Sequence, residues 1–383
     1  MFGFSCLASG TTATRGFIAG VRVSIHILRM IKNMMHKNLT VAIAVPLEAE
    51  HVESIKTAHP DVTVLYEPEL LPPERYPADH GGDPAFVRSP SQDSRYWDML
   101  ARADVLYGIP QESAAGLARI AANSKVAWIQ AMASGAGSTV KAANLAAETL
   151  ERLAVTNSAG VHALPLAEFA MLGVLNGFKH TSAMAADQAA KSWPDLRVPT
   201  RLVSGSHAVI IGLGEIGIET ARLARAMGMR VSGTKRTVEA IDGVETVTDM
   251  AGLPELLATA DTVINTLPGT PFTHKLINAG LFAAMKAGTV FVNVGRGTVV
   301  DEDALLVALE DGTISYACLD VFAIEPLPVE SPLWEHPRVM VSPHTSALTI
   351  AENRLIAERF IDNLARFQAG EPLLHRVDPV HFY

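Results

Sequence analysis

AVIIGLGEIGIETARLARAMG, residues 208–228, decides how the second half of this chain folds. The apolar residues 208–211 read as a buried strand. Gly212, Gly214 and Gly217 follow in G-x-G-x-x-G spacing, and then a helical pattern carries Ala221, Leu223 and Ala224. Each glycine has its own reason. Gly212 permits the tight turn, Gly214 lets backbone approach a pyrophosphate, and Gly217 lets the helix pack close on the strand. Glu215 and Ile216 open the helix, whose N-terminal N–H groups and dipole favour an anion. The motif alone is weak because glycine is common. A strand before it and a helix after it make a dinucleotide-binding turn the expectation.

The next strand ends in RVSGTKRT (230–237). A site for an unphosphorylated adenosine ribose places Asp or Glu about twenty residues beyond the first glycine. Thr234 stands there instead, with Lys235 and Arg236 behind it. A hydroxyl and two cations suit a 2′-phosphate; the plain alternative is a solvated basic turn. The expected cofactor is therefore NADP, with NAD possible.

Further on, three strand-like runs lead to chemically distinctive residues. TVFVNVG (289–295) runs into Arg296, ISYACLDV (314–321) precedes Glu325, and RVMVS (338–342) precedes His344. In an open α/β sheet, ligands bind beyond the carboxyl ends of the strands. Arg296 offers an always-charged fork that can hold a carboxylate and polarise a keto oxygen. His344 can pass a proton to that oxygen and take it back. Glu325 can bond the imidazole, fix its tautomer and favour its charged form. The plainer readings are a solvated loop arginine and a helix-capping histidine. His162 and His336 read as structural and His274 as a surface residue.

The rest of the chain is consistent with an enzyme of ordinary composition. A length of 383 residues suits two domains. With 49% hydrophobic and 19% charged residues, disorder is not expected. The net charge of -9 argues against a nucleic acid or an anionic membrane as partner. No apolar run is long enough to span a bilayer. Two cysteines, Cys6 and Cys318, give no basis for a disulfide framework or a metal cluster. The N-terminus differs in composition: Arg15, Arg22, Arg29, Lys32 and Lys37 precede any acidic residue. Residues 1–37 read as a leader, either an over-long start or an organelle transit peptide, and are set aside from the fold argument.

From Leu39 the pattern alternates. LTVAIAVP (39–46), VTVLYEP (62–68), ADVLYGI (103–109) and KVAWIQAM (125–132) read as strands separated by helical stretches. Such alternation implies a parallel sheet covered on both faces. Six prolines between 68 and 95 predict a surface excursion. One long helix is expected over 164–190 and another over 350–369, stopped by Gly370 and Pro372.

The chain resembles the D-isomer-specific 2-hydroxyacid dehydrogenases in GLGEIG (212–217), INTLPGTPFTHKLIN (264–278), VNVGRGTVVDEDAL (292–305), LDVFAIEPLP (319–328) and VSPHTSA (341–347). The resemblance implies two doubly wound α/β domains, with a Rossmann nucleotide domain (161–345) inserted into a flavodoxin-like substrate domain (38–160 plus 346–383). It implies that Thr266, Pro268 and Val294 line the cofactor and that Asp320 binds the nicotinamide carboxamide. Ser134 and Gly135, in MASGAG (132–137), would offer N–H groups to the substrate carboxylate opposite Arg296. The family often has Asp where Gly137 stands, which leaves the shape of that loop open. Glu325 departs from the formate dehydrogenase branch, whose histidine partner is typically Gln. The implied activity is reduction of a small 2-keto acid of the glyoxylate or hydroxypyruvate type by a cytoplasmic homodimer. Two rivals remain: a dehydrogenase-like nucleotide-sensing regulator, and a phosphoglycerate dehydrogenase lacking its regulatory domain.

Overall fold

The computed structural model describes residues 39–123 and 125–380, so the leader at 1–37 lies outside the described residues. The chain divides into two compact units. One takes the described residues up to Ser158 together with those from Asn353, and the other is Ala159–Glu352.

The first unit is built on β1 (Thr40–Ile43), β2 (Thr63–Leu65), β3 (Val105–Tyr107), β4 (Trp128–Gln130) and β5 (Ala154–Thr156), in the order β2-β1-β3-β4-β5. All the pairings are parallel, which is the flavodoxin-like arrangement. The helix Glu352–Ala369 brings Ile356, Phe360 and Leu364 into this core. Phe360 stacks on Trp128 at 5.0 Å between centroids and meets Tyr107 edge-on at 5.2 Å. Strand β5 was not anticipated. Its three residues give too short a period-2 signal, and its other neighbour is an isolated antiparallel bridge from Thr156 to Arg376.

The proline-rich segment is less superficial than its composition suggests. Leu70, Leu71, Ala78 and Asp79 are buried, and Pro90 belongs to a helix, Pro90–Ala101. Ser89 and Gln92 form a reciprocal capping box there. Proline at the first helical position loses no hydrogen bond, because that N–H has no intrahelical partner.

The second unit holds β6 (His207–Ile211), β7 (Arg230–Thr234), β8 (Thr246–Thr248), β9 (Thr262–Asn265), β10 (Thr289–Asn293), β11 (Ile314–Leu319) and β12 (Val339–Val341). Their order is β12-β11-β10-β9-β6-β7-β8, parallel throughout. The order in which successive strands are added to the sheet reverses between β6 and β9, and the glycine turn leaves β6 at that point. Side chains alternate between two separate cores. Val209, Ile211, Phe291, Ala317 and Leu319 enter one cluster; Ala208, Ile210, Val290, Val292, Tyr316 and Cys318 enter the other. Each fully buried Val, Ile or Phe contributes roughly 1.5–3 kcal/mol, so both faces of the sheet anchor its strand ends.

The helix expected over 164–190 is two helices, Ala163–Lys179 and Thr181–Ala190, divided at His180, which adopts φ 54°. The first has a sheet to pack on. A Cβ at Gly173 would sit 2.7 Å from Cys318 Cβ, and one at Gly177 would sit 2.5 Å from a Val290 methyl. These two glycines let the helix backbone close on the strands. The second helix buries none of its residues, so no packing face holds it to the line of the first. Among the described residues no helix is long and apolar enough to cross a membrane.

Candidate active site

The glycine turn has the shape that its spacing implies. Gly212 has φ 103°, in the region where a side chain is strained. A Cβ on Gly217 would lie 2.1 Å from the Gly212 carbonyl oxygen, so helix and turn touch backbone to backbone. A Cβ on Gly214 would meet nothing within 4 Å. That open side, at the start of the helix Glu215–Ala226 where no side chain caps the N–H groups, fits a pyrophosphate. Glu215 is exposed and Ile216 half-buried beside it. Thr266 Oγ1 donates to the Gly212 carbonyl at 2.5 Å and steadies the turn. Pro268 is exposed on the following loop, and Val294 is buried at the end of β10.

Thr234, at the end of β7, is only 2% exposed, and its Oγ1 accepts the Gly212 N–H at 3.1 Å. The hydroxyl expected to face a 2′-phosphate thus also ties β7 to the glycine turn. Lys235 follows half-buried, its ammonium paired with Glu239, and Arg236 is exposed.

Arg296, Glu325 and His344 each leave the carboxyl edge of the seven-stranded sheet, as anticipated. His344 Nδ1 lies 2.8 Å from Glu325 Oε2. The other carboxylate oxygen, Oε1, accepts the Phe322 N–H at 2.9 Å. Burial pushes the Glu325 carboxyl up, but the Phe322 N–H, His344 and the Arg296 charge together outweigh it and hold the group below its ordinary value. With a carboxylate on Nδ1, Nε2 is the ring atom left for a ligand, and His344 is exposed. Arg296 is exposed as well; its Nη1 donates to the Gly295 carbonyl at 2.8 Å, and it makes no ion pair among the described residues.

Supporting residues that the sequence did not single out hold these groups. Asn265 and Asn293, both buried at adjacent strand ends, are joined at 2.9 Å. Asn293 accepts from Gly295 N–H at 3.1 Å and donates to the Arg296 carbonyl at 3.3 Å, which fixes the loop carrying the guanidinium. The visible signal was one Asn in each of INTLPG and VNVGRG. Gly297 is required by space: a Cβ there would fall 1.8 Å from the Phe322 carbonyl carbon. The arginine loop therefore rests against the loop whose N–H holds Glu325.

Asp320 is more committed than the resemblance implied. It is 1% exposed. Its Oδ1 accepts from Ser342 Oγ at 2.7 Å and from the N–H groups of Thr345 and Ser346 at 2.9 and 3.0 Å, and Oδ2 accepts from Ser346 Oγ. The carboxylate ties down the turn in which His344 has φ 55°. His162 and His336 are structural here: His162 Nε2 is 3.0 Å from Glu352 Oε1, and His336 Nδ1 accepts the Arg338 N–H at 3.2 Å. His274 is exposed. Cys318 is buried and free, its thiol pushed up to about 12 by burial. Among the described residues no cluster could hold a metal ion.

In the other unit, Ser134 and Gly135 are exposed between β4 and the short helix Gly137–Ala142. Ser138 Oγ donates to the Gly135 carbonyl at 2.9 Å.

An imidazole oriented by a carboxylate, an arginine and a dinucleotide turn share one sheet edge, an arrangement suited to a dehydrogenase. The chain belongs to the D-isomer-specific 2-hydroxyacid dehydrogenase family, oxidoreductases that act on CH–OH groups with a nicotinamide cofactor. The family's NAD-binding domain matches residues 171–346. The glyoxylate/hydroxypyruvate reductase A of Yersinia enterocolitica is 32% identical over 222 residues, 57% of this chain and 69% of that protein. That of Citrobacter koseri is 35% identical over 221 residues, with the same shares of the two chains. Among solved structures, a family member from Xanthobacter autotrophicus in complex with NADPH has TM-score 0.69 and 29% identity, covering 90% of this chain and 99% of that one. The NADPH-dependent glyoxylate/hydroxypyruvate reductase of Sinorhizobium meliloti, in complex with NADP and sulfate, has TM-score 0.66 and 26% identity, covering 90% and 100%.

Proposed function

We propose that this protein reduces small 2-keto acids of the glyoxylate and hydroxypyruvate type to D-2-hydroxy acids, with NADPH as the preferred cofactor. The observation that carries the reading is the pairing of His344 with Glu325, together with an Arg296 that makes no ion pair among the described residues. Bound nicotinamide supplies the hydride. Arg296 takes the substrate carboxylate and polarises the keto oxygen. His344, protonated and held by Glu325 at Nδ1, gives the Nε2 proton to that oxygen as negative charge develops, and recovers it in the reverse direction.

Gly212, Gly214, Glu215, Ile216 and Gly217 would receive the pyrophosphate, and Lys235 and Arg236 the 2′-phosphate. Thr234, Thr266, Pro268, Val294 and Asp320 complete the proposed cofactor shell, Asp320 through the loop it orders. Ser134 and Gly135 are assigned to the substrate carboxylate. The names of the reductases above and the absence of an acidic residue at 234 support this assignment.

We also assign a homodimer. Trp193, Leu196, Val198 and Leu202 are 87, 85, 70 and 78% exposed. With the unburied helix Thr181–Ala190 they form an apolar arm suited to a second copy. We also assign a cytoplasmic location, with which Cys318, the one cysteine among the described residues, is consistent as a free buried thiol.

A steady-state screen tests the activity: glyoxylate, hydroxypyruvate, pyruvate, longer 2-keto acids and phosphorylated acids, each with NADPH and NADH. Fastest turnover with glyoxylate or hydroxypyruvate and NADPH is expected. No oxidation of either cofactor would overturn the assignment in favour of a nucleotide-sensing protein, and activity confined to phosphorylated acids would point to phosphoglycerate chemistry.

A further inference from the structure

The cation assigned to the 2′-phosphate already has a partner. Lys235 stands immediately after β7, its backbone N–H fixed to the Thr248 carbonyl at 2.9 Å. The root of the side chain is therefore set by the sheet, and only the stem and ammonium are free to turn. The ammonium is paired with the Glu239 carboxylate, four residues on in a stretch that is not helical. The Glu239 side chain is 57% exposed. Thr234 is taken up by the glycine turn, so charge at this edge must come from the residues that follow it.

We propose that Glu239 is a built-in competitor for the 2′-phosphate and sets how strongly this protein prefers NADPH; the inference rests on the cofactor reading given above. A carboxylate oxygen and a phosphate oxygen present the same acceptor to an ammonium. The ammonium has three N–H donors, so a 2′-phosphate that reaches Lys235 either displaces the Glu239 carboxylate or is held beside it. In either case the carboxylate lies near a phosphate that is close to dianionic at neutral pH, and like charges oppose binding. A cofactor without the 2′-phosphate leaves the Lys235–Glu239 pair in place. Glu239 thus lowers affinity for NADPH selectively, and does so through Lys235. It is a specificity-determining residue that touches neither substrate nor the reacting atoms.

The test is calorimetric binding of NADPH, NADH, 2′,5′-ADP and 5′-AMP to the full chain, with Glu239→Gln, Lys235→Ala and the double variant. Glu239→Gln keeps the shape and removes the charge at an exposed position, so folding is not at issue. The expected result is about three- to ten-fold tighter binding of NADPH and 2′,5′-ADP relative to NADH and 5′-AMP. That is the scale of one screened unit charge beside a phosphate. The gain should shrink at high salt, where the Debye length falls to about 3 Å, and should largely vanish when Lys235 is Ala. If the parent protein prefers 2′-phosphorylated ligands but Glu239→Gln leaves the ratio unchanged, or changes it equally without Lys235, the competitor role is overturned and the cofactor reading stands. If the parent binds 2′,5′-ADP no better than 5′-AMP, the cofactor reading itself fails and the proposal falls with it.

Discussion

The backbone N–H of His344 donates to the carbonyl of Asp320 at 2.9 Å, while the Asp320 carboxylate receives the N–H groups of the next two residues. One buried residue thus holds both sides of the turn that presents the imidazole. Asp320→Ala should leave those N–H groups and two serine hydroxyls without their acceptor. Each unsatisfied buried donor costs about 1–3 kcal/mol, so a loss of about 3 kcal/mol or more in unfolding free energy is expected by denaturant titration. Turnover should fall roughly 100-fold, since a displacement of about 1 Å suffices for that. Asp320→Asn, which keeps one acceptor oxygen, should lie between. Full activity in the alanine variant would refute the positioning role.

Arg296→Ala and His344→Ala should each remove most turnover, by about 10²-fold or more, while calorimetric NADPH binding stays near that of the parent. Arg296→Lys should recover only part, because an ammonium cannot reproduce the two-pronged contact of a guanidinium with a carboxylate. Unimpaired keto-acid reduction in either alanine variant would count decisively against the assignment.

Glu325 gives a pH dependence whose sign follows from its surroundings. Its carboxyl is held below the ordinary value once the Phe322 N–H, His344 and Arg296 outweigh burial. Its contribution to stability is therefore present above the unfolded-state value and is lost as pH falls through the lowered folded-state value. Glu325→Gln should flatten the acid side of the stability curve and reduce turnover about 10- to 100-fold at neutral pH. Thermal melts and pH–rate profiles on the same variant separate the two effects.

Glu112 predicts the opposite slope. It follows Gln111 in a turn where both have positive φ, 59° and 45°. Its Oε1 is buried without a partner, and burial lifts the carboxyl to about 7 from 4.5. The folded state keeps a proton that the unfolded chain has released, so this contribution is full below pH 4.5 and declines as pH rises to about 7. Glu112→Gln should remove that decline and stabilise the protein at pH 8 by up to about 3 kcal/mol. A parallel pH–stability curve for parent and variant would refute it.

Thr234→Asp should shift preference toward NADH. An aspartate there can still accept the Gly212 N–H, now with a charge that repels a 2′-phosphate and suits a ribose hydroxyl. The measurement is the ratio of kcat/KM for the two cofactors; an unchanged ratio would argue against a 2′-phosphate at this strand end.

Features that depend on one short stretch were legible in the sequence. Gly212, Gly214 and Gly217 are read from spacing, because each answers a local steric demand. Arg296, Glu325 and His344 are read from position, because parallel strands bring their carboxyl ends to one edge. What escaped depends on partners distant along the chain. At His180 the backbone takes φ 54° and the helix after it buries none of its residues, which no single window of sequence reveals. The committed state of Asp320 needs Ser342 and Ser346 from the neighbouring strand end, and the Asn265–Asn293 bond needs two strands in register. Strand β5 is confirmed as a strand only by its neighbours.

The first unit is closed by Phe360 and Arg376, far downstream of the strands they complete. During synthesis, β1 to β5 must therefore wait, without the aromatic lid on Trp128 and Tyr107, until the whole contiguous nucleotide unit has left the ribosome. The nucleotide unit, whose residues follow one another without interruption, is free to fold first. Translation order thus lets the unit that carries the dinucleotide turn fold before the unit that needs the C-terminal helix.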